Sequence, residues 1–257
     1  MDLQEKYMNS DLCLQVDEYD CVKGVATKKM CHELCNGASQ LHRAFSLFLF
    51  RTGVEGQEPQ LLIQRRSNSK LTYPGMWSNT CCSHPLANYP KEVVEADAFG
   101  VKRAAQRKLM DELRIGEVPF LMLPNIHFLT RAIYFARNES SGNPRWAEYE
   151  IDYILISVLD SSLGSKLGDG MIHFNPEEVS DVRWVAYSSL EVWLKGKESK
   201  EDLRALNFTP WVRGLFSAGL LQRLYYWAQL YHTRLSSTQF SKEDEYWDRG
   251  KIVRLRT

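Results

Sequence analysis

The sequence predicts an α/β (α+β) domain in which a mixed central sheet carries helices on its faces. Three observations predict this fold. Short segments with strand character recur up to residue 187, a helix with one apolar stripe interrupts them near residue 100, and an aromatic helix follows residue 210. The 257 residues contain no repeat and no long linker. We therefore expect one domain over residues 1–257, with a core at about 12–231 and extensions at both ends.

The N-terminal part is predicted to contain four strands. Alternating apolar residues predict strands at Leu12–Val16 and Cys21–Thr27, around a turn-like segment at Asp17–Asp20. Apolar runs at Ala44–Phe50 and Gln60–Gln64 predict a second hairpin-like pair.

A helix is predicted from an Asp97 cap to Arg114, because apolar residues recur there at every fourth position. Strands are predicted next at Ile126–Phe135, Glu148–Leu159 and Asp181–Tyr187.

The C-terminal part is predicted to be helical. Ser188 or Ser189 is expected to cap a short helix that ends at Leu194. Thr209 followed by Pro210 resembles a helix start, and Trp211–Tyr231 continues with apolar and aromatic residues at helical spacing.

The composition excludes several classes of protein. Apolar residues make up 44% and charged residues 25%, which is typical of a globular chain rather than a disordered one. Lys plus Arg and Asp plus Glu both number 32, so no basic excess favours nucleic acid or an anionic membrane. The longest apolar runs, Ala44–Phe50 and Tyr153–Leu159, are far too short to span a bilayer.

The compartment expected from the sequence is the cytoplasm. Met1–Asp17 resembles neither a secretory signal nor a transit peptide, and Leu255–Thr257 is not a peroxisomal ending, although peroxisomal import stays open. Six bunched cysteines do not suggest a secreted disulfide scaffold, so reduced thiols are expected.

The segment Glu148–Tyr153 carries three carboxylates that share one face of a predicted strand. Like charges side by side repel each other unless a cation or water neutralises them. A solvated edge strand is the structural alternative to a cation site.

Three histidines at strand ends or in loops could meet this acidic face: His32, His42 and His84. Imidazole nitrogens and carboxylate oxygens together suit Zn, Mn, Fe or Mg. Hydrogen-bonded structural histidines are one alternative. Another is a structural zinc site formed by Cys31, His32 and Cys35 with Cys81, Cys82 and His84, although the spacing is not that of a paired zinc motif.

Other residues near these histidines could act on a substrate. Cys82, two residues before His84, would lie near a bound metal and could exchange a proton with a substrate, or it could be an inert buried thiol. The cations Arg65, Arg66 and Lys70, with Lys28, suit a diphosphate, although surface charges often cluster in this way.

Two further features have the same double interpretation. The Trp211 ring could stabilise a cation, or it could be a core tryptophan. Carboxylates near the end of the helix at 100–114 could hold Mg²⁺ against a diphosphate.

Together these segments resemble the type I isopentenyl-diphosphate delta-isomerases of the Nudix fold superfamily, and eukaryotic members more than bacterial ones. The resemblance extends from about Leu14 to about Trp227. It is carried by Ala26–Lys29 with His32, Leu41–Phe45, Gln64–Ser67, Tyr73–Gly75, Ser78–Pro85, Arg103–Arg107, Glu148–Tyr153 and Thr209–Trp211.

The resemblance implies a Nudix-type fold and a role for each matched residue. It implies a divalent metal, Mg²⁺ or else Zn²⁺ or Mn²⁺, held by His32, His42, His84, Glu148 and Glu150. Cys82 and Glu150 would be catalytic, on opposite faces of the substrate's double bond. Lys28, Arg66 and Lys70 would bind the diphosphate, Glu112 would help to hold a second Mg²⁺ on it, Tyr134 would lie beside Glu150, and Trp211 would cover a carbocation.

The helix departs from the Nudix hydrolase signature. Lys108 and Asp111 replace glutamates, Arg114 stands where glycine is expected, and the upstream Gly-x5-Glu part is missing. These differences argue against pyrophosphate hydrolysis. Arg114 also departs from the isomerase pattern, which makes the Mg²⁺ role of Glu112 the weakest of the implied roles.

The resulting hypothesis is a monomeric enzyme, without a redox cofactor or a nucleic-acid partner, that interconverts isopentenyl diphosphate and dimethylallyl diphosphate in isoprenoid synthesis. Two alternatives are a Nudix diphosphohydrolase and a non-catalytic, zinc-stabilised binding protein.

Overall fold

A computed structural model of the chain describes residues 3–52, 57–115, 123–139, 145–159, 172–196, 207–235 and 249–257. The strands are β1 (Leu12–Val16), β2 (Val22–Thr27), β3 (His42–Arg51), β4 (Gln60–Arg66), β5 (Trp77–Ser78), β6 (Cys81–Ser83), β7 (His127–Arg137), β8 (Ala147–Leu159), β9 (Val179–Ala186) and β10 (Ile252–Arg254). The helices are α1 (Leu3–Ser10), α2 (Lys28–His32), α3 (Phe99–Leu113), α4 (Tyr187–Leu194), α5 (Pro210–Ser217) and α6 (Leu220–Leu235). Short 3₁₀ turns occur at Ala96–Ala98 and Leu123–Asn125.

Strand β3 is the centre of the sheet. One edge pairs in parallel with β8, from His42 opposite Glu150 to Arg51 opposite Leu159. The other edge is shared in turn by β1, β6 and β4, all antiparallel. Every residue of β3 before Arg51 is buried, as expected for a strand covered on both faces.

The remaining strands extend the sheet in two directions. One path runs in the order β10-β7-β8-β3-β1-β2, while β4 continues from β3 to β5 and β9. The β10–β7 and β3–β8 pairs are parallel and the other strand pairs are antiparallel. This mixed sheet confirms the predicted fold class.

Helices cover both faces of β3 because its side chains alternate. Phe45 and Leu47 belong to the core shared with Val101 and Leu109 of α3. Their neighbours, Phe48 among them, belong to the opposite core, which α5 and α6 complete. Alternation therefore places His42 and Ser46, near the start of β3, on the α5 side of the sheet.

Helix α3 has the predicted apolar stripe, but Asp97 does not cap it. Asp97 lies in a left-handed turn with φ 51°, Ala98 follows at φ 54°, and no side chain caps the helix start. Arg114 ends the helix at φ 57°, in the left-handed conformation that glycine usually supplies at this position.

The single aromatic helix predicted after Thr209 is wrong, because the chain forms two helices there. Gly219, at φ 71°, separates α5 from α6. Pro210 opens α5 as predicted, but the Thr209 side chain does not cap it. Helix α4 starts at Tyr187 after Ala186, so the predicted Ser188 or Ser189 cap is also wrong.

Several elements were missing from the prediction because they are short or weakly patterned. These are α1, α2, β5, β6 and β10, all of which except α1 have five residues or fewer. Among the described residues, none of the helices combines the length and the hydropathy that a membrane crossing requires.

Gly100, in the first turn of α3, offers a test of this packing. Replacing a glycine inside a helix by alanine normally raises the free energy of unfolding by about 0.5–1 kcal/mol. A Cβ at position 100, however, would lie 2.1 Å from the Glu92 carbonyl oxygen. We expect Gly100→Ala to lower the free energy of unfolding by about 1–3 kcal/mol in urea titrations.

The control is Met110→Ala, at an exposed position of the same helix. It should change the free energy of unfolding by less than about 0.5 kcal/mol. Equal or increased stability of Gly100→Ala would contradict the packing described here.

Candidate active site

The acidic strand lies inside the protein, so the alternative of a solvated edge strand is wrong. Glu148, Glu150 and Asp152 of β8 are only 6%, 5% and 1% exposed. Strand β8 runs between β7 and β3, and the three carboxyl groups share its α5-side face. Ser46 Oγ, on the neighbouring strand β3, donates a hydrogen bond of 2.7 Å to Asp152 Oδ2.

The three histidines come together over this face from three separate elements. His32 ends α2, His42 begins β3 opposite Glu150, and His84 directly follows β6. Their ring centroids are 4.7, 5.0 and 4.9 Å apart. All three are buried. Antiparallel pairing of β6 with β3 explains why residues 42 and 84 become neighbours.

The donor atoms of four side chains converge on one point. The Glu150 Oε1 atom lies 2.9 Å from His84 Nε2, 3.3 Å from His42 Nε2 and 3.9 Å from His32 Nε2. His42 Nε2 and His84 Nε2 are 3.2 Å apart. Ligands about 2.1 Å from a shared metal ion are about 3 Å from each other, so this spacing fits a bound cation.

The backbone selects the ring nitrogens that face this point. His32 Nδ1 lies 2.7 Å from the Lys28 carbonyl oxygen, and His42 Nδ1 lies 2.8 Å from that of Gln40. A carbonyl only accepts, so each Nδ1 carries the hydrogen and each Nε2 presents a lone pair to the centre. Converging lone pairs are stable only around a proton or a metal ion.

The pKa values in the metal-free site describe how that proton is held. Burial lowers the pKa of His84 to about 4 and holds that of His32 well below its usual range. Burial also disfavours charge on His42, but the hydrogen bond and charge of Glu150 outweigh it and raise its pKa to about 9. Despite its own burial, Glu150 has a lowered pKa because His42 and His84 donate to it. The donor set therefore fits a divalent cation, which would replace the proton on His42.

The metal-binding group in the described part of the chain consists of His32, His42, His84 and Glu150, with donor atoms within 4.8 Å of one another. It contains no cysteine, so the structure does not assemble the alternative Cys/His zinc site. Cys81 belongs to the core on the α3 face. Glu148 lies outside this group, and its role as a fifth ligand stays a prediction.

Cys82 lies on the same face of the sheet as the histidines. It pairs with Ser46 in the β6–β3 ladder and is half-buried against the α5-side core. Its Sγ atom is 3.9 Å from both Arg66 Nη1 and Ser78 Oγ. Burial raises the pKa of the thiol to about 12, so the thiol keeps its proton at neutral pH.

Tyr134 links the two glutamates of β8. Its hydroxyl lies 2.5 Å from Glu150 Oε2 and 3.2 Å from Glu148 Oε2. Burial and the nearby Glu150 charge raise the pKa of Glu148 to about 7. The contact with Glu150 places Tyr134 where the family resemblance implied it would be.

The predicted cations differ in where they point. Arg66 is buried, donates to the carbonyl oxygens of Thr72 and Tyr73, and lies 5.6 Å from the Trp211 ring. Lys70 contacts Glu178, a buried carboxylate that the sequence did not indicate. Arg65 is exposed and donates to the Gly75 carbonyl, so it points away from the site.

Trp211 is held in place by its polar edge. Its Nε1 atom donates to Asn79 Oδ1 over 2.9 Å, while Asn79 Nδ2 is fixed by the carbonyl oxygens of Leu47 and Cys81. Tyr73 meets the indole ring edge-on at 5.4 Å. Asn79 is a supporting residue whose role no sequence pattern revealed.

Glu112 is buried at the end of α3. Lys108 Nζ lies 3.2 Å from Glu112 Oε1, and Gln64 donates to Glu112 Oε2 over 3.0 Å. Arg114 is exposed beyond the helix end. The glutamate predicted to hold Mg²⁺ is therefore neutralised by an ammonium group from the preceding turn.

A cavity of about 260 Å³ joins these groups. Helix α1 forms part of its wall through Gln4, Tyr7 and Met8. The predicted site residues that line it are Lys28, His32, Arg66, Lys70, Cys82, His84, Glu112, Tyr134, Glu148, Glu150 and Trp211.

The chain resembles known proteins over most of its length. A family model described as "NUDIX domain" matches residues 40–212. The chain is 39% identical to isopentenyl-diphosphate Delta-isomerase 1 of Mesocricetus auratus over 236 residues, 90% of this chain and 91% of that protein. It is 41% identical to the Bos taurus protein of the same name, over 82% of this chain and 83% of that one.

A plant relative is longer. The chain is 39% identical to isopentenyl-diphosphate Delta-isomerase II of Clarkia xantiana over 215 residues, which cover 82% of this chain and 66% of that protein. The chain thus matches about two thirds of the length of this relative.

The metal site can be tested by titrating chelator-treated protein with Zn²⁺ or Mn²⁺ in a calorimeter. We expect His84→Ala to weaken binding by about 100-fold or more, because losing even an outer-shell partner costs roughly 10–100-fold. His173→Ala, which removes an exposed histidine outside the cluster, should change the affinity by less than about twofold. Equal losses in both variants would contradict the site.

Proposed function

Because this chain belongs to the NUDIX-domain family and, within it, to the isopentenyl-diphosphate delta-isomerases, we propose that it interconverts isopentenyl diphosphate and dimethylallyl diphosphate. The observation that carries this proposal is that Cys82 lines one cavity with His32, His84 and Glu150, which together with His42 form the metal-binding cluster. A thiol and a carboxylate there can exchange protons with one small substrate.

The reaction moves a double bond by one carbon without gain or loss of atoms. A proton adds to one end of the double bond, a tertiary carbocation forms, and a proton leaves the neighbouring carbon on the other side. The enzyme therefore needs two proton-transfer groups and protection of the cation from water.

Cys82 and Glu150 suit the two proton-transfer roles. Strands β6 and β8 flank β3 on opposite edges, so a substrate lying over β3 would meet the thiol from one side and the carboxylate from the other. One group supplies a proton while the other removes one, and the two exchange roles in the reverse reaction. Tyr134 donates to Glu150 and orients its carboxylate.

When bound, a divalent cation at His32, His42, His84 and Glu150 would withdraw charge from the carboxylate and so set its proton affinity. The chain itself orients the imidazoles of His32 and His42 through the Lys28 and Gln40 carbonyls. Metal binding would therefore need little rearrangement of these side chains.

The aromatic residues on the cavity wall suit a cationic intermediate. Trp211 and Tyr134 have ring centroids 6.1 Å apart, and both residues are almost fully buried. An indole face contributes about 2 kcal/mol of cation–π attraction when water is excluded. The hydrogen bond to Asn79 keeps the ring in one orientation.

Lys28, Arg66 and Lys70 are proposed to bind the diphosphate, since all three line the cavity. Glu112 is proposed to hold Mg²⁺ on that diphosphate after its ion pair with Lys108 is broken. A monomeric single-domain enzyme over residues 1–257, a location in the cytoplasm and a role in isoprenoid synthesis complete the proposal.

Hydrolysis of the diphosphate is disfavoured by the chemistry of α3. The ammonium group of Lys108 occupies a position where the hydrolase signature has a glutamate, and it pairs with Glu112. A phosphate-release assay distinguishes a hydrolase from an isomerase. A non-catalytic binding protein would show neither phosphate release nor isomerisation.

The proton-transfer roles can be tested with Cys82→Ala and Glu150→Gln. We expect each variant to lose about 10²–10⁴-fold in kcat, the usual contribution of a positioned acid or base. Product formation and deuterium incorporation from D₂O are the measurements, with circular dichroism to verify folding.

Cys81→Ala is the matched control, because this neighbouring thiol belongs to the opposite core. Its kcat should stay within about threefold of the unmodified protein. Near-normal turnover of Cys82→Ala would overturn the assigned role.

Trp211 provides an independent prediction. Removing about 2 kcal/mol of cation stabilisation corresponds to about a 30-fold fall in kcat. We therefore expect kcat of Trp211→Leu to fall by about that factor, and kcat of Trp211→Phe to fall less, because phenylalanine keeps an aromatic face. Trp193→Leu, on α4 outside the cavity, serves as the control. Equal activity of Trp211→Leu and Trp211→Phe would argue against a role for the indole face.

A further inference from the structure

His84 is oriented differently from the other two histidines. The Nδ1 atoms of His32 and His42 are fixed by backbone carbonyls, whereas His84 Nδ1 is buried without a hydrogen-bond partner in the described part of the chain. The ladder with β3 ends at Ser83, one residue earlier. The position of the His84 ring therefore depends on the backbone that carries it.

That backbone is fixed by an ion pair between a loop and a helix. Glu92 Oε2 accepts a hydrogen bond of 3.0 Å from the Leu86 amide. Arg107 Nη2 donates to the His84 carbonyl oxygen over 3.2 Å. The peptide groups on both sides of Pro85 are thus held, one by the carboxylate and one by the guanidinium.

The two charged residues also hold each other. Arg107 Nε lies 2.7 Å from Glu92 Oε1, and Arg107 Nη2 lies 2.9 Å from Glu92 Oε2, which is the two-point geometry typical of arginine and carboxylate. Glu92 is buried, and the Arg107 guanidinium lies 5.2 Å from the Tyr89 ring. The four hydrogen bonds form a closed network.

Helix α3 gives this network a rigid support. Ala104 and Ala105, which precede Arg107, are fully buried against the sheet. A buried ion pair contributes little net stability compared with apolar residues, because its desolvation offsets its attraction. What this ion pair contributes instead is the geometry of the backbone at His84 and Leu86, to which it is hydrogen-bonded.

We propose that Glu92 and Arg107 are positioning residues that fix the Cys82–Leu86 segment against α3, and thereby place His84 in the metal site and Cys82 beside the substrate. This inference rests on the proposed function, since it assigns the two residues to the same site. Neither residue needs to touch the reacting carbons to have this effect.

The test uses Glu92→Gln and Arg107→Lys in the full chain. Glutamine loses the second oxygen that the network requires, and lysine donates from a single nitrogen and cannot reproduce the two-nitrogen fork of arginine. For the metal-free variants, Co²⁺ affinity is measured by competition with a chelator, and amide hydrogen exchange is followed over residues 81–87. We expect about 10–100-fold weaker Co²⁺ binding and faster exchange of the Leu86 amide.

Kinetics and a matched control complete the experiment. We expect kcat to fall while KM for the diphosphate changes by less than about twofold. The double variant should lose no more Co²⁺ affinity than the worse single variant, because the pair acts as a unit. The control is Arg103→Lys, on the same helix but in contact with Phe99 and Gln106. It should keep the Co²⁺ affinity, the amide exchange rates and the kcat of the unmodified protein.

Unchanged Co²⁺ affinity in both folded variants would overturn the proposal. The proposal would also be overturned if Arg107→Lys raised only KM and Glu92→Gln changed none of the measured quantities. Arg107 would then be a diphosphate ligand. If the unmodified protein binds Co²⁺ but does not isomerise, and the variants still lose affinity, the proposed function fails while the positioning role is supported. Should one variant fail to fold, the other decides.

Discussion

The parallel pairing of β3 with β8 is the constraint on which the site depends. It sets His42 opposite Glu150, and it turns the carboxylates of β8 to the face that α5 covers. A shift of one residue in this register would point Glu150 at α3 and separate it from all three imidazoles. The long apolar stretches of both strands, buried on both faces, make such a shift costly, so the core that stabilises the fold also fixes the geometry of the chemistry.

Around this register, short elements bring in the remaining groups. Helix α2 has only five residues, yet its last residue is His32, and β6 has three residues, yet it carries Cys82 and ends beside His84. Such elements have little stability of their own and depend on side-chain contacts. Thr80 illustrates this, since its hydroxyl accepts from the Leu49 amide and donates to the Leu62 carbonyl, joining β3 to β4 where β6 begins.

The sequence predicted the larger strands and α3 well because their apolar residues recur with a clear period. It could not predict α2 or β6, which are too short to show a period, nor the break at Gly219, because the aromatic pattern continues through it. The acidic face of β8 followed directly from alternation along the strand. Its meeting with the histidines required the resemblance to a family, since no spacing between residues 32, 42 and 84 indicates that they are neighbours. Asn79, Glu92 and Glu178 act through contacts distant in sequence, which periodicity does not reveal.

The contact between Lys70 and Glu178 gives the cavity a charge balance before any substrate arrives. Lys108 Nζ, which pairs with Glu112, also lies 3.9 Å from the Glu178 carboxylate, so two ammonium groups are balanced by two buried carboxylates. Under the proposed function, a diphosphate would replace the Glu178 carboxylate as the partner of Lys70, rather than bind to an unpaired group of cations. When the product leaves, Lys70 would regain a partner that belongs to the protein itself, which would favour release of the product.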